Sequence, residues 1–506
     1  MSYRVYKVTR TGLKHDGYEV KINGVYADLN TARASAYPFN RRWPGHQRSI
    51  NQTELINFLS LETDETLQFE IKPKDSFENV IIRPVSLGIV PEITSDGVIK
   101  FTLNKPAYFT VEPYGRKNAL HIFCDPVSDY SIDENDENVL YFGSGEHNVG
   151  MINLKSNQTV FIDEGAVLYA CIHATDAENI KILGRGILDN SKNKEQILFE
   201  ANEENNEMAV NNAKRLHTIQ LEYCKNIEIE GITIRDSLVY NIRPLACDNI
   251  DIKNIKLIGN WRYNSDGIDM HNCTNVNIDN CFLRTFDDSI CVKGFDCYYD
   301  SDDVEKAALD AMYRNGNSYD VFKNVLIKNC VIWNDWGKCL EIGAETFAKE
   351  ITNITFESNH IIHVSAYPLD CMNVDQADVH DITFKNITIE YDEHIPALVL
   401  QKNDSHKYEN PNPDHNPDVI CINVVFHPEY STSKTQRGKN RDFLFENIRL
   451  YGRHKPKFTF AGLDSEHKVS NVKIKDFYWN DTPIKTSDYE LHANEFCENI
   501  KIYTQD

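Results

Sequence analysis

The chain has 506 residues, 41% hydrophobic and 25% charged, which is too long for one small module and too apolar for a disordered protein. Its 53 Lys and Arg against 76 Asp and Glu leave a net charge of -23. That balance argues against nucleic acid, whose phosphates need clustered cations, and no apolar run approaches the ~20 residues that would span a membrane.

Met1 to Ile22 mixes charged and apolar residues and lacks the apolar core of a signal peptide, so a soluble, cytoplasmic protein is expected. Residues 1–125 carry short β-like runs, such as Gln68-Phe69-Glu70-Ile71 and Val98-Ile99-Lys100-Phe101, divided by Pro, Asp and Gly. Antiparallel hairpins in a small β-sandwich are the natural reading. Residues 126–140, rich in acidic side chains, read as a linker.

From 141 to 506 one pattern returns. It begins at Asn179-Ile180-Lys181-Ile182, Asn226-Ile227-Glu228-Ile229, Asn249-Ile250-Asp251-Ile252 and Asn275-Val276-Asn277-Ile278. It continues from Asn324, Asn353, Asp381, Asp442, Asn471 and Asn499, and the steps are 47, 23, 26, 49, 29, 28, 61, 29 and 28 residues. A period in the twenties marks a solenoid. The alternation of Ile and Val with polar residues is a strand period, not a helix period. Parallel strands stacking coil on coil give an all-β fold, a parallel β-helix. Its inward Ile and Val form a continuous core, and its Asn residues sit at turns, where they tolerate left-handed backbone and can form a hydrogen-bonded ladder. The long steps are two units, or one unit plus an insertion. Asp296 to Phe322 and Lys402 to Arg441 read as loops inserted on one face.

The 13 Cys contain no C-x-x-C pair, which fits a reducing compartment. Cys224, Cys247 and Cys273 stand two residues before a repeat Asn, and Cys281 and Cys330 follow Asn280 and Asn329. Recurrence at fixed repeat positions points to a buried stack of small apolar side chains.

The chemistry concentrates in residues 264–294. Asp266 precedes Asp287 by 21 residues and Asp288 by 22. One coil apart, these positions lie on neighbouring strands, ~4.8 Å apart. Three carboxylates then share one outer face, and one of them keeps a proton. A general acid beside a general base is the equipment of glycoside hydrolysis. A solvated acidic turn is the plain alternative.

Asn264-Ser265-Asp266-Gly267 followed by Asp287-Asp288-Ser289-Ile290-Cys291-Val292-Lys293 resembles the N-T-D-G and D-D-C-I-A-(I/L)-K motifs of glycoside hydrolase family 28, the polygalacturonases and relatives. Asp236 to Pro244 resembles that family's N-S-P-x-W-x-(I/L)-x-P segment. The β-sandwich in front is also similar to the arrangement of the family 49 dextranase and isopullulanase group. The resemblance implies a right-handed parallel β-helix and metal-free, cofactor-free hydrolysis with inversion. It makes Asp287 the general acid, and Asp266 and Asp288 the pair that activates water. Asn264 and Lys293 are then expected at the substrate, a salt bridge holding Asp287 or Asp288 being the alternative for Lys293. Asn241, one coil earlier, reads as a further substrate contact or as part of a turn ladder.

Two departures bear on the sugar. Lys338 in Trp336-Gly337-Lys338-Cys339 occupies the position of the family's motif His, and Pro368-Leu369-Asp370 falls opposite its R-I-K motif. Losing those cations disfavours a uronate. Lys338 and Asp370 are therefore expected to contact a neutral sugar, and Trp336, Trp333 or Tyr367 to stack on it. His217, His271, His363 and His380 read as structural. The expected activity is an inverting glycoside hydrolase acting on the ends of α-linked oligo- or polysaccharide. The alternatives are a polygalacturonase, a polysaccharide lyase, and a non-catalytic glycan-binding β-helix.

Overall fold

A computed structural model describes residues 3–40, 50–192, 217–296, 303–403 and 405–505. From Val139 onward these form one long, nearly all-parallel sheet wound into a right-handed parallel β-helix. Each complete coil contributes three strands; Ile268–His271, Thr274–Asp279 and Phe282–Thr285 make one such coil.

Every copy of the sequence repeat stacks in register. Ile180 pairs with Ile227, Ile227 with Ile250, Ile250 with Val276, Val276 with Val325, and Val325 with Ile354. The row goes on through Ile382, Phe443 and Val472 to Ile500. All but Ile500 are buried in one continuous core, and each inward Ile contributes roughly 1.5–3 kcal/mol by leaving water. Direct pairing across the 47-, 49- and 61-residue steps resolves their ambiguity. Each is one coil plus an insertion.

The repeat Asn residues do what their chemistry allows. Asn226, Asn249, Asn275, Asn324 and Asn353 all have φ between 55° and 60°. Asn249 donates from Nδ2 to Asn226 Oδ1 at 2.8 Å, Asn324 to Asn275 at 2.9 Å, and Asn353 to Asn324 at 2.9 Å. The ladder steps sideways once, where Asn275 donates to Asp248. Cys224, Cys247, Cys273, Cys281 and Cys330 all lie in the core, as thiols. The Cys224, Cys247 and Cys273 thiols donate to backbone carbonyls at 3.3–3.4 Å.

Residues 3–126 build two further sheets that share an apolar core including Val20, Leu59, Phe69, Phe101, Phe109 and Ile122. Their pairings are antiparallel but for Leu120–Pro126 on Thr53–Thr63. A second cluster glues this sandwich to the flank of the β-helix, with Phe58, Tyr108 and Phe123 against Tyr169, Phe282 and Trp333. Buried ion pairs cross the same interface, among them Lys256 with Asp125 at 2.9 Å and Arg185 with Glu62 at 2.9 Å.

Both insertions differ from plain loops. The described part of the first contains a helix, Val304–Met312, capped by Asp303 accepting the Lys306 N–H at 3.0 Å. Ala308 and Met312 bury its inner face against Phe295 and Phe347. The second contains a rung of the solenoid, Ile420–Val424, paired with Leu369–Asn373. This strand belongs to the sheet that carries the site residues, whose strands do not bear the repeat Asn, so the pattern alone misses it. The same insertion reaches the sandwich, where Val399–Leu400 pairs with Phe39–Asn40 and Tyr408 stacks on Tyr37 at 5.2 Å.

The turn ladder makes a graded prediction. Asn324→Ala removes two ladder bonds and places a Cβ at φ 60° without a compensating amide, at a cost of about 2 kcal/mol. Asn324→Gly keeps the backbone unstrained and costs about half as much. Chemical denaturation of both variants checks the order.

Candidate active site

The residues singled out by sequence converge because they occupy one turn, repeated coil after coil. This turn leads into the strands Ile242–Leu245, Ile268–His271, Ile290–Lys293, Leu340–Ala344 and Leu369–Asn373, which stack in parallel as one sheet. Backbone bonds tie the turns together. Asn241 N–H donates to Asp266 C=O at 2.9 Å, Gly267 N–H to Asp288 C=O at 2.8 Å, and Ser289 N–H to Lys338 C=O at 2.8 Å. Cys339 N–H then donates to Tyr367 C=O at 3.0 Å. Glycine is required twice at this approach. A Cβ on Gly267 would lie 2.1 Å from Ser289 O, and one on Gly337 would lie 2.5 Å from Asp288 N and from Asp288 Oδ1.

Above these turns lies a pocket of about 380 Å³. Asp266, Asp287 and Asp288 all line it, with Asn264, Lys293, Trp336 and Lys338. Asp287 is steadied by the Asn264 N–H on Oδ2 at 3.3 Å, and Asp288 by the Lys338 N–H on Oδ1 at 2.8 Å. Asn334 Nδ2 holds the Asp287 carbonyl at 2.7 Å. Trp336 stacks on Phe286 at 6.0 Å, presenting an aromatic wall.

Proton affinity is unevenly spread. Burial, and then the charge of Asp288, push the Asp287 carboxyl up to about 7, against the opposing pull of Lys293. Burial, then Asp269 and Asp287, raise Asp266 well above the carboxylate range. Lys293 lies at the hub of three acids, 2.7 Å from Asp269, 3.6 Å from Asp266 and 3.8 Å from Glu345. Burial opposes its charge, but these acids and Tyr240 outweigh it, so it stays an ammonium. The site can therefore offer a proton and accept one at neutral pH.

Other expectations shift. Asn241 does not line the pocket. It is fully buried, donating from Nδ2 to the Asp266 carbonyl at 2.6 Å and accepting from Ser237 at 2.7 Å. It shapes the turn that carries Asp266 instead of touching sugar. Asp370 is also buried below the pocket wall, 2.9 Å from the Lys338 ammonium, so its oxygens are directed at a cation and not at sugar hydroxyls. Trp333 is core, packed on His363 at 4.0 Å, whereas Tyr367 lines the pocket. His217, His271, His363 and His380 lie outside it.

Sequence reasoning missed Glu341, Glu345, Tyr240, Tyr263, Tyr430 and Asn40, which also line the pocket. Glu341 was legible in principle. Register places Asp269, Cys291, Glu341, Asp370 and Cys421 in one outward row of the site sheet. Asn40 and Tyr430 carried no signal, because they arrive from the sandwich and from an insertion. Asp288, Cys291 and Glu341 bring ligand atoms within 4.8 Å of one another, as a metal site would. The Lys338 ammonium already sits on Glu341, however, and supplies the positive charge there.

The molecule is thus a right-handed parallel β-helix with an acidic pocket on its outer face. The model of the glycosyl hydrolases family 28 matches residues 142–435, more than half of the chain, and the chain belongs to that family. A probable polygalacturonase of Vitis vinifera is 29% identical over 184 residues, 31% of this chain and 38% of that protein. A polygalacturonase of Gossypium barbadense is 30% identical over 145 residues, 28% of this chain and 33% of that one. The match thus spans between a third and two fifths of these curated relatives. Dex49A from Penicillium minioluteum shares the fold over 97% of this chain and 95% of its own, with a TM-score of 0.59 at 12% identity.

The raised Asp287 carboxyl has a measurable consequence. Its folded-state pKa lies above the unfolded value, so its protonated form favours folding below pH ~4 and that contribution is lost as pH rises through about 7. Asp287→Asn removes this loss, so the variant gains stability relative to the parent between pH 4 and 7. Thermal melts of both proteins across that range check the sign. A gap that stays constant with pH contradicts it.

Proposed function

We propose that this chain is a glycoside hydrolase that cleaves α-linked oligo- or polysaccharide with inversion, from chain ends, on a neutral sugar. The observation that carries the reading is the convergence of three aspartates from adjacent coils on one pocket, with Asp287 raised to about 7. Membership of family 28 supports it.

In this reading Asp287 gives its proton to the glycosidic oxygen as the bond from that oxygen to the anomeric carbon breaks, the bonding pair leaving with the oxygen. A water on the opposite face adds to the anomeric carbon. Asp288 takes its proton, while Asp266, whose proton affinity burial and then Asp269 raise, holds the water in place. The product is a free reducing sugar and the shortened chain carries a hydroxyl. Lys293 keeps the cluster of acids below from becoming too anionic to hold together.

End-wise action is supported by the wall built from Asn40, Leu398, Leu400 and Tyr430. Phe39–Asn40 and Val399–Leu400 pair as a two-stranded link that brings Asn40 and Leu400 to the pocket. A neutral sugar is supported by the charge of the lining. Among the described residues of the lining, Asp266, Asp287, Asp288, Glu341 and Glu345 are accompanied by two cations, Lys293 and Lys338, both engaged by carboxylates. The stacked thiols of the core fit a reducing, cytoplasmic setting, where imported oligosaccharides would be the substrate. The names of the curated relatives favour a second reading, hydrolysis of galacturonides.

A screen of matched neutral and uronic α-linked oligosaccharides separates the two. The expected result is release of single terminal units from a neutral substrate, with the first-formed product in the inverted anomeric form by NMR. Asp287→Asn lowers kcat roughly 10³-fold with KM little changed. For the parent, kcat/KM falls as pH rises through about 7. Random internal cleavage overturns end-wise action, and an unsaturated product absorbing in the ultraviolet overturns hydrolysis. Preference for the uronide establishes the second reading.

A further inference from the structure

Lys338 lines the pocket with more of its side chain exposed than Lys293, and its surroundings are unusual for a group meant to bind an anion. Its ammonium contacts Glu341 Oε1, lies 2.9 Å from Asp370 Oδ2, and lies 3.8 Å from Met372 Sδ. The two acids come from adjacent strands of the site sheet, directly opposite one another in register. Lys338 stands three residues before Glu341, on the turn that also supports Asp288 through its backbone N–H. Glu341 and Asp370 are almost completely buried, whereas the Lys338 side chain keeps 16% of its surface exposed, at the pocket wall. Glu341 Oε2 meanwhile receives the Cys291 thiol from the strand before, at 3.7 Å. The fold therefore spends two buried acids on one lysine.

We propose that Glu341 and Asp370 form a charge-cancelling cradle for Lys338 that determines specificity, so that the pocket refuses sugars carrying a carboxylate. The lysine is wedged over the gap between two rungs of the sheet. It holds the rungs' acids together and offers no net positive charge to a ligand. A uronate entering here would meet a neutral-to-negative patch beside Asp288 and would lose its hydration without gaining a cation. A neutral sugar bears no such cost. Burial opposes the ammonium charge, but Asp370, Glu341 and Asp288 outweigh it, so the cation persists and cannot escape by losing its proton. The inference deepens the neutral-sugar reading and rests on it.

The test is a charge series: Glu341→Gln, Asp370→Asn and the double variant, each also made with Asp287→Asn. Each single change leaves Lys338 one acid and the double variant leaves it neither, so a melting curve checks the fold of every variant, and the single variants carry the test on their own. Binding of matched neutral and uronic oligosaccharides to the Asp287→Asn proteins is measured by calorimetry, so that the readout does not depend on turnover. The expected result is a uronic-to-neutral affinity ratio that rises about tenfold with each acid removed, and that Lys338→Met in the double variant returns to its starting value. A folded double variant with an unchanged ratio overturns the cradle. A parent protein that already prefers the uronic ligand overturns the neutral-sugar reading instead, whatever the variants do.

Discussion

The in-register stacking of parallel coils is the constraint on which everything else in this molecule depends. Each inward Ile or Val lies on its counterpart one rung away, and each backbone N–H finds a carbonyl on the next coil. A shift of one residue would turn every apolar side chain outward, so the register is held wherever the core is closed. The polar ladder at the turns adds direction to this apolar stack. Asn is suited to the task because it accepts left-handed backbone and offers both a donor and an acceptor along the stacking axis.

The site is a by-product of the same register. One turn, repeated on adjacent coils, puts Asp266 beside Asp288, and Asp288 beside Lys338, through backbone bonds that hold them whether or not their side chains agree. The mutual repulsion of the acids is thereby imposed by the fold. It is relieved where Lys293 and Lys338 are inserted among them, and elsewhere by retained protons. The two lysines do parallel work. Lys293 anchors the acids beneath the aspartates, and Lys338 anchors those of the neighbouring rungs. The glycines at 267 and 337 allow turns to approach more closely than any Cβ would permit.

Much of this was legible in the residues. The Ile rows, the left-handed Asn turns and the cysteine stack follow from one short repeat, because each coil repeats the same local problem and solves it with the same residue types. The aspartate trio followed from a spacing close to one coil. The failures share a cause as well. Asn241 and Asp370 occupy the expected turn and strand, but one side chain is turned to the backbone carbonyl of Asp266 on the next coil and the other to a lysine. The rung at Ile420–Val424 escaped because its row of strands does not carry the repeat Asn and it lies inside a long insertion. Tyr430 and Asn40 obey no period.

By itself the sequence determined the solenoid, its period, its core and the coil positions of the three aspartates, since periodic burial and left-handed turns leave a periodic record in residue type. Only the tertiary structure decided that the long steps are single coils carrying insertions, that Asn40 and Tyr430 reach the pocket, and that Lys338 lies between Glu341 and Asp370. Those outcomes depend on contacts between segments far apart in the chain, and on the direction of individual side chains. Neither is encoded by a repeating pattern.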